Sequence, residues 1–284
     1  MNTAILVKAF TTDKEKGNPA GVILTADHLT ENEMIAIAKD LGFSESAFVQ
    51  TSDKADYKIR FFTARQEVDL CGHATLAAFH VLVTNKLITF TDNQPIQRTM
   101  ETKVGIFPVI CYSDGLIMME QQSPQYMEPE IDRRLIAKLL SLNEEDFLDY
   151  PIQPVSTGAT KLMIPIKSLN RLFAIMPNLE GIEKYSRDKN IRGFYPFTFE
   201  TIDKDADFHT RMFNPLVGID EDPITGVAWG ALACYIRHNN ISNKESFVIE
   251  QGNILAKGGN IIVDISNGVK IGGYAIVFDH KDIK

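Results

Sequence analysis

The chain contains RFFTARQEVDLCGHATLAAFHVL, from Arg60 to Leu82, and a similar stretch, RMFNPLVGIDEDPITGVAWGALACYI, from Arg211 to Ile236. Each begins with Arg-x-Phe in an extended pattern, passes through a polar loop and ends in an Ala-rich helical pattern. With one single-residue gap, the four residues from Gly72 align with the four from Asp222. The repeat predicts two similar domains, each presenting one helix N-terminus. The alternative is a chance similarity between short segments.

The two helix starts predict an anion site. A helix N-terminus offers unpaired backbone N–H groups and the positive end of the helix dipole. Two such ends that face one cleft suit a small carboxylate. We therefore expect an interdomain cleft in which N–H groups near Gly72 and Gly226 bind a carboxylate substrate.

Composition places the chain among ordinary globular proteins. Its 284 residues are 44% hydrophobic and 23% charged, which suggests roughly two domains. Lys and Arg number 29 against 37 Asp and Glu, a formal net charge of -8. Phosphate binding requires a basic face, so this balance argues against a nucleic-acid partner. Because no run approaches ~18 apolar residues and the N-terminus lacks a signal-peptide core, we expect a cytoplasmic protein without a membrane partner.

The three cysteines, Cys71, Cys111 and Cys234, lack the spacing of a metal or disulfide site. A thiol-based racemase needs two thiols facing one carbon, and the position aligned with Gly72 holds Asp222, so no matched pair exists. The thiols are expected to be small core residues. No phosphate loop, dinucleotide fingerprint or zinc spacing occurs, so we expect neither a metal nor a cofactor.

Strand, hairpin and helix patterns alternate along the chain. Thr30 and Glu33 form a capping box, and Gly42 ends the helix that they start. Turns at Ser113-Asp114-Gly115 and Asn267-Gly268 connect hairpin strands in the two halves. The predicted class is α+β, with two similar pseudo-symmetric domains, each a mostly antiparallel sheet curled around a central helix.

The domain boundary is predicted between Ser123 and Glu130, where two prolines and polar residues interrupt the pattern. We therefore place one domain at residues 1–125 and the other at residues 126–284. The last strand could return to the first domain.

Glu45 is the first candidate for chemistry. It lies between two serines, at the junction between the first helix and a short strand, among apolar residues. A carboxylate desolvated there would have a raised pKa, which suits a general acid/base near neutral pH. The alternative is a Glu at a helix end that makes a local hydrogen bond.

His73 and Asp222 are the candidates at the two helix starts. His73 falls in the first turn after Gly72, where a neutral imidazole is favoured. Its alternative is a buried His satisfied by a backbone carbonyl. Asp222 precedes Pro223, a pair that commonly starts a helix, so pure capping is its alternative. Three acids crowd this place, which is more than capping requires.

Six motifs follow one another along essentially the whole chain: Gly17-Asn18-Pro19-Ala20-Gly21-Val22, Ser44-Glu45-Ser46-Ala47-Phe48, Glu67-Val68-Asp69-Leu70-Cys71-Gly72-His73-Ala74-Thr75, Val155-Ser156-Thr157-Gly158, Glu221-Asp222-Pro223-Ile224-Thr225-Gly226 and Glu250-Gln251-Gly252. In this order and spacing they resemble the phenazine-biosynthesis PhzF-like isomerase family. The resemblance implies a diaminopimelate epimerase-like fold with the active site between its two domains.

The resemblance also implies residue roles. Glu45 would be the catalytic acid/base of a cofactor-independent isomerase that moves a proton on a small cyclic or amino-acid-like carboxylate. His73 and Asp222 would line the pocket. The implied substrate-binding residues are Asn18, Ser44, Gly72, Ala74, Thr225, Gly226 and Val227. Relatives imply a homodimer.

This sequence departs from the family pattern after Thr225-Gly226, where it carries Val227 and Trp229 in place of small polar residues or His. The apolar Val227 argues against trans-2,3-dihydro-3-hydroxyanthranilate, the substrate of the best-known member, and Trp229 could either narrow the pocket or fill the core. Two other functions stay open. One is an epimerase or racemase of a related acid, and the other is a non-catalytic small-molecule-binding protein.

Overall fold

The computed structural model describes residues 2–283 except Pro129, Thr225 and Ala256, and the side chains of Asn2 and Val227 also lie outside the described residues. The chain folds into two compact units. The first unit is Met1–Glu120 with Gly272–Lys284, and the second unit is Gln121–Ile271. Each unit is described below by itself.

In chain order the elements are β1 (Asn2–Ala9), β2 (Asn18–Ile23), α1 (Glu31–Leu41), β3 (Ser46–Gln50), β4 (Tyr57–Phe62), β5 (Glu67–Val68), α2 (Gly72–Thr84), β6 (Ile96–Thr102), β7 (Gly105–Cys111), β8 (Ile117–Gln121), β9 (Gln125–Tyr126), α3 (Arg133–Leu139), β10 (Gln153–Ser156), β11 (Lys161–Pro165), α4 (Leu169–Phe173), α5 (Leu179–Lys189), β12 (Phe194–Thr198), β13 (Phe208–Thr210), α6 (Gly226–His238), β14 (Ser246–Gln251), β15 (Gly259–Asp264), β16 (Val269–Gly273) and β17 (Ala275–Ile283).

The first unit is a mostly antiparallel sheet around α2. Strand β1 pairs antiparallel with β17 and β2, β2 runs parallel to β3, and β3 is antiparallel to β4. The sheet continues with β4 parallel to β6 and with antiparallel β7 and β8. Helix α2 packs against β1, β2, β3 and β17, and its residues from Ala74 to Phe79 are all buried. A helix that is apolar on every side belongs in a core, so the sheet curls around it.

The second unit repeats this order of pairings. Strand β10 is antiparallel to β9 and β11, β11 is parallel to β12, and β12 is antiparallel to β13. Strand β13 is parallel to β14, which is antiparallel to β15. Helix α6 packs against β10, β11, β14 and β15 and buries Trp229 and Tyr235 completely. The predicted class, two similar units that each wrap a sheet around a central helix, is confirmed.

The repeat extends to one ion pair in each unit. Arg60 in β4 donates from Nε and Nη2 to both carboxylate oxygens of Glu67, at 2.9 and 2.8 Å. Arg211, just after β13, makes the same two bonds to Glu221 at 2.7 Å each. Each guanidinium also lies over the ring of the Phe two residues later, at 4.9 and 4.8 Å. Both polar loops are therefore fixed to their sheets by a bidentate pair.

A second contact that recurs in both units fixes the loop that precedes β4 in the first unit and β13 in the second. Glu101 accepts a hydrogen bond from the hydroxyl of Ser52 at 2.5 Å. Glu250 accepts from the backbone N–H groups of Ile202 and Asp203 at 2.6 and 2.9 Å. These two glutamates, which occupy matching places in the two halves of the sequence, therefore share one structural role.

Helix α1 forms as its sequence predicts. The Thr30 hydroxyl accepts from the N–H of Glu33, and the Glu33 carboxylate accepts from the N–H of Thr30, which completes the capping box. Gly42 ends the helix at φ 73°, a left-handed conformation that glycine adopts without a Cβ clash. Among the helices of the described residues, none is both long and apolar enough to cross a membrane.

Candidate functional site

In the first unit, the structure brings Glu45 and His73 together. Glu45 immediately precedes β3, and His73 is the second residue of α2. Glu45 Oε2 lies 3.6 Å from His73 Nε2, while the two side chains are 25% and 10% exposed. These residues are 28 positions apart in sequence, and the seating of α2 against β3 brings them close. The pair places a solvent-accessible carboxylate against a nearly buried imidazole.

The His73 ring is neutral at pH 7. Burial lowers its pKa to about 4, because the protein interior disfavours the imidazolium. The distance to Glu45 would allow an ion pair, but the cost of burying a charged imidazolium outweighs that attraction. The contact is therefore one between a carboxylate and a neutral imidazole ring. Among the described residues, Nε2 has no hydrogen-bond partner within reach although it is buried.

Cys71 contacts the other ring nitrogen of the imidazole. Its Sγ lies 3.3 Å from Nδ1 of His73. Cys71 is the N-cap residue of α2, and its carbonyl accepts from the N–H and hydroxyl of Thr75 at 2.9 and 2.7 Å. The thiol is buried, as expected for a small core residue, but it also contacts a predicted catalytic side chain. No local pattern in the sequence predicts this contact.

Glu45, Cys71 and His73 also form a set of donors that could hold a metal ion. One donor atom from each lies within 4.8 Å of the others. Thiolate, imidazole and carboxylate are the ligand types that zinc takes. The expectation of a metal-free site stays a prediction.

Four other predicted residues, Asn18, Ser44, Gly72 and Ala74, belong to the first unit. Asn18 is half-buried at the start of β2, and Ser44 is exposed. Parallel pairing of Gly21 with Ser46 puts the β2 start and Glu45 on one sheet edge. A Cβ at Gly72 would meet only Met119 Cε, at 4.0 Å, so space is open there.

Ala74 differs from these residues because its side chain is fully buried within α2. A methyl group in the core cannot touch a ligand. Any contribution of Ala74 to binding would therefore come from its backbone N–H group in the first turn of the helix.

In the second unit, Asp222 does not cap a helix. Helix α6 begins at Gly226, so the prediction of a helix start at Asp222-Pro223 is wrong. The Asp222 carboxylate accepts from the N–H of Ile224 at 3.1 Å, which is a local turn. Its backbone N–H donates to the carbonyl of Met212 at 2.9 Å, and these bonds hold it outside the helix.

Gln251 fixes the backbone of Asp222. Its Nε2 donates to the Asp222 carbonyl at 2.8 Å. Its Oε1 accepts from Trp229 Nε1 at 3.1 Å and from the Tyr195 hydroxyl at 3.0 Å. Trp229 is fully buried, so it fills the core. Next along the chain, Gly252 has φ 88°, and a Cβ there would lie 2.5 Å from the carbonyl oxygen of Pro223, so only glycine fits.

Lys161 is a buried cation of the second unit that was not among the residues predicted from the sequence. Burial lowers its pKa to about 8, against the opposite influence of the Asp222 carboxylate. Its ammonium group donates to the backbone carbonyl of Arg192. A charged or half-charged amine therefore acts electrostatically on Asp222.

The last three predicted residues are Thr225, Gly226 and Val227. Gly226 is the first residue of α6, and its carbonyl accepts from Gln121 Nε2 at 2.9 Å. Thr225 and the side chain of Val227 lie outside the described residues. Their proposed contacts with substrate rest on the sequence.

The chain matches known proteins over nearly its whole length. The family described as phenazine biosynthesis-like protein, PhzC-PhzF, matches residues 7–281. An uncharacterized isomerase of Bacillus subtilis is 38% identical over 287 residues, covering 98% of this chain and 97% of that protein. An uncharacterized isomerase of Escherichia coli K12 is 35% identical over 290 residues, covering 97% and 96%.

Solved structures agree with these sequence matches. The crystal structure of a PhzF-family phenazine biosynthesis protein from Bacillus anthracis is 31% identical, with a TM-score of 0.86 over 100% of this chain and 99% of that chain. A hydroxyproline epimerase from Agrobacterium vitis, 9% identical with a TM-score of 0.60 over 99% and 90%, shares the fold. The relatives support the predicted enzyme class, an isomerase. The chain belongs to the phenazine biosynthesis-like protein family.

Proposed function

We propose that the protein is a cofactor-independent isomerase that moves a proton between two carbons of a small cyclic or amino-acid-like carboxylate, with Glu45 as the general acid/base. The observation that carries this proposal is the Glu45 carboxylate 3.6 Å from the neutral, buried imidazole of His73. A quarter of the Glu45 side chain is open to solvent, so a substrate can reach it.

The neutral ring supports this role for Glu45. It does not neutralise the carboxylate with a full positive charge, and one N–H of the ring can donate to Glu45 or to the substrate. Apo contacts between catalytic groups are often long and shorten in the substrate complex, so 3.6 Å is compatible with a hydrogen bond during reaction.

The start of α2 supports binding of the carboxylate group. Cys71 makes no side-chain hydrogen bond to the first-turn N–H groups of the helix, within the part that the structure describes. The N–H groups of Gly72 and His73 are thus available to an anion, and the open space at Gly72 lets it approach.

Asp222 is proposed as a substrate-binding residue on the strength of its motif, with Thr225, Gly226 and Val227. The turn that holds Asp222 and the bond from Gln251 give it a fixed place, as a positioned polar group requires. We further propose a cytoplasmic homodimer that uses no metal.

The experiment is a deuterium-exchange screen. Purified protein, treated with a chelator, is incubated in D2O with a panel of small cyclic and amino-acid-like carboxylates and followed by NMR. We expect one compound to gain deuterium at one carbon and to rearrange its C–H bonds, at a rate that the chelator leaves unchanged. If no carboxylate exchanges and none raises Tm, the proposal is contradicted.

An epimerase of a related acid is the second candidate. It is favoured by the Cys71 thiol, which adds a second proton-bearing group within 4.8 Å of Glu45 and His73. The same D2O screen separates the two reactions, because epimerisation inverts one stereocentre as deuterium enters it, whereas isomerisation moves hydrogen to another carbon.

A further inference from the structure

We propose that Cys71 is a positioning residue that fixes the tautomer of His73, so that the ring proton sits on Nε2 and faces Glu45. The inference deepens the proposed function and rests on it for its catalytic meaning. The hydrogen bonds themselves can be tested without substrate.

The two ring nitrogens of His73 face different partners. A neutral imidazole carries one N–H donor and one bare acceptor nitrogen. Nε2 faces the Glu45 carboxylate at 3.6 Å, and Nδ1 faces the Cys71 sulfur at 3.3 Å. A bare Nε2 would direct its lone pair at a negative oxygen, so the carboxylate favours the proton on Nε2. Nδ1 is then the acceptor, and the thiol is the group that can donate to it.

The Cys71 backbone is held where this bond needs it. Its carbonyl accepts two bonds from Thr75, whose side chain is fully buried. Cys71 itself is 8% exposed, so water competes little for Nδ1. Cys71 and His73 are the N-cap and the second residue of α2. Because neither backbone position can shift without breaking the first turn of the helix, the sulfur atom is a fixed partner for the ring.

The fixed tautomer matters for proton transfer. With the proton on Nε2, the ring presents a donor to Glu45, or to a negatively charged group of the substrate. Loss of the thiol would leave Nδ1 buried with no donor, and a ring with no partner there can populate the other tautomer or rotate. Cys71 thus acts through His73, and it does not itself exchange protons with substrate.

The test uses 15N-labelled histidine in the intact protein at pH 7, without ligand. The variants are Cys71→Ser, which keeps a hydroxyl donor, and Cys71→Ala, which removes it. Cys111→Ala is the control, because Cys111 is another buried thiol in the same unit. A His73→Gln spectrum identifies the His73 signals.

We expect a protonated Nε2 and a hydrogen-bonded, unprotonated Nδ1 in wild type, in Cys71→Ser and in Cys111→Ala. In Cys71→Ala the Nδ1 signal should move toward that of a free acceptor nitrogen, or the Nδ1–H tautomer should rise several-fold. In infrared spectra, a lowered S–H stretching band of wild type should be lost in both Cys71→Ala and His73→Gln.

A wild-type ring protonated on Nδ1, or a Cys71→Ala spectrum identical to wild type, would overturn the proposal whatever the substrate is. Conversely, if the tautomer is as expected but no carboxylate is turned over, the isomerase proposal fails and the Cys71–His73 contact stands.

Discussion

Strands β3 and β12 occupy the same place in the two units, yet different residues come directly before them. Ser46 and Phe194 are the first residues of these strands, and each lies opposite the Phe that follows the Arg-x motif of its neighbouring strand. The residue just before is Glu45 in the first unit and Gly193 in the second. Gly193 has φ 116°, and a Cβ there would lie 2.7 Å from a backbone carbonyl oxygen. The second unit therefore has no room for a matching carboxylate.

This difference separates the features of the repeat that stabilise the fold from those that could take part in a reaction. The bidentate Arg pairs and the braced loops recur in both units. Each unit also has a carboxylate–imidazole contact, but His209 and Glu250 of the second unit are completely buried, whereas a quarter of the Glu45 side chain beside His73 is open to solvent. Of these two carboxylates only Glu45 can be reached by a substrate, which supports our proposal that Glu45 is a single base that removes and returns a proton.

The framework is tested most strongly by Arg211→Met. Arg211 is 6% exposed, binds Glu221 and also donates to the carbonyls of Leu172 and Ile175 at 3.0 and 3.1 Å. Its loss would leave the half-buried Glu221 carboxylate and two carbonyls unpaired, which should lower the free energy of unfolding by about 3–5 kcal/mol. Urea denaturation measures this change.

The matched control is Arg60→Met in the first unit. Arg60 is 19% exposed, so its loss should cost less, about 1.5–3 kcal/mol. We infer that the two pairs have the same structural role and differ in how deeply they are buried. If Arg60→Met lowered the free energy of unfolding as much as Arg211→Met, or more, this inference would be wrong.

The chemistry of the first unit is tested by the pH dependence of stability. The pKa of His73 is about 4 in the folded state and near 6.5 when unfolded, so the unfolded chain takes up a proton first as pH falls. This stabilisation is complete above pH 6.5 and is lost as pH falls from 6.5 to 4, by roughly 3 kcal/mol. In His73→Phe that part of the pH dependence should vanish.

The control for this experiment is His280→Gln, which changes an exposed histidine of the same unit. Its unfolding free energy should follow wild type across the same pH range. Parallel curves for wild type and His73→Phe would show that the ring is not held neutral by burial.

The smallest expected effect concerns the start of α6. Val227 cannot replace a hydroxyl or amide donor, so wild type should turn over trans-2,3-dihydro-3-hydroxyanthranilate poorly. Val227→Ser should raise that turnover by roughly 2- to 12-fold, the range of one neutral hydrogen bond of about 0.5–1.5 kcal/mol. Val227→Ala is the control for size. Wild-type turnover at the level of a true phenazine enzyme would refute this prediction.

Local signals in the sequence predicted much of the fold. The capping box of Thr30 and Glu33, the Gly42 stop and the α2 start at Gly72 all occur as expected, because each depends on neighbours within a few residues. The predicted start of α6 at Asp222 was wrong, because this position depends on residues that are distant in sequence. Asp222 is held by Met212 and Gln251, and the tertiary bonds to these distant residues override its local capping preference.

The site was predictable as a set of residues but not as an arrangement. Motif resemblance selected Glu45 and His73, and their contact arises from strand register and helix seating, which no local pattern contains. The Cys71–His73 contact was missed because a lone buried thiol is usually a packing residue. Lys161 was missed because its interaction with Asp222 arises from the fold and not from a local sequence pattern.

The variant Glu45→Gln tests whether proton transfer depends on one carboxylate. The measurement is the rate at which solvent deuterium enters the compound that wild type exchanges, with the exposed Glu15→Gln as control. Gln keeps the shape of the side chain but cannot carry the proton, so we expect a loss of roughly 10²–10⁴-fold, with little change in unfolding free energy and none in the control. Exchange by Glu45→Gln at a rate near that of wild type would contradict the account.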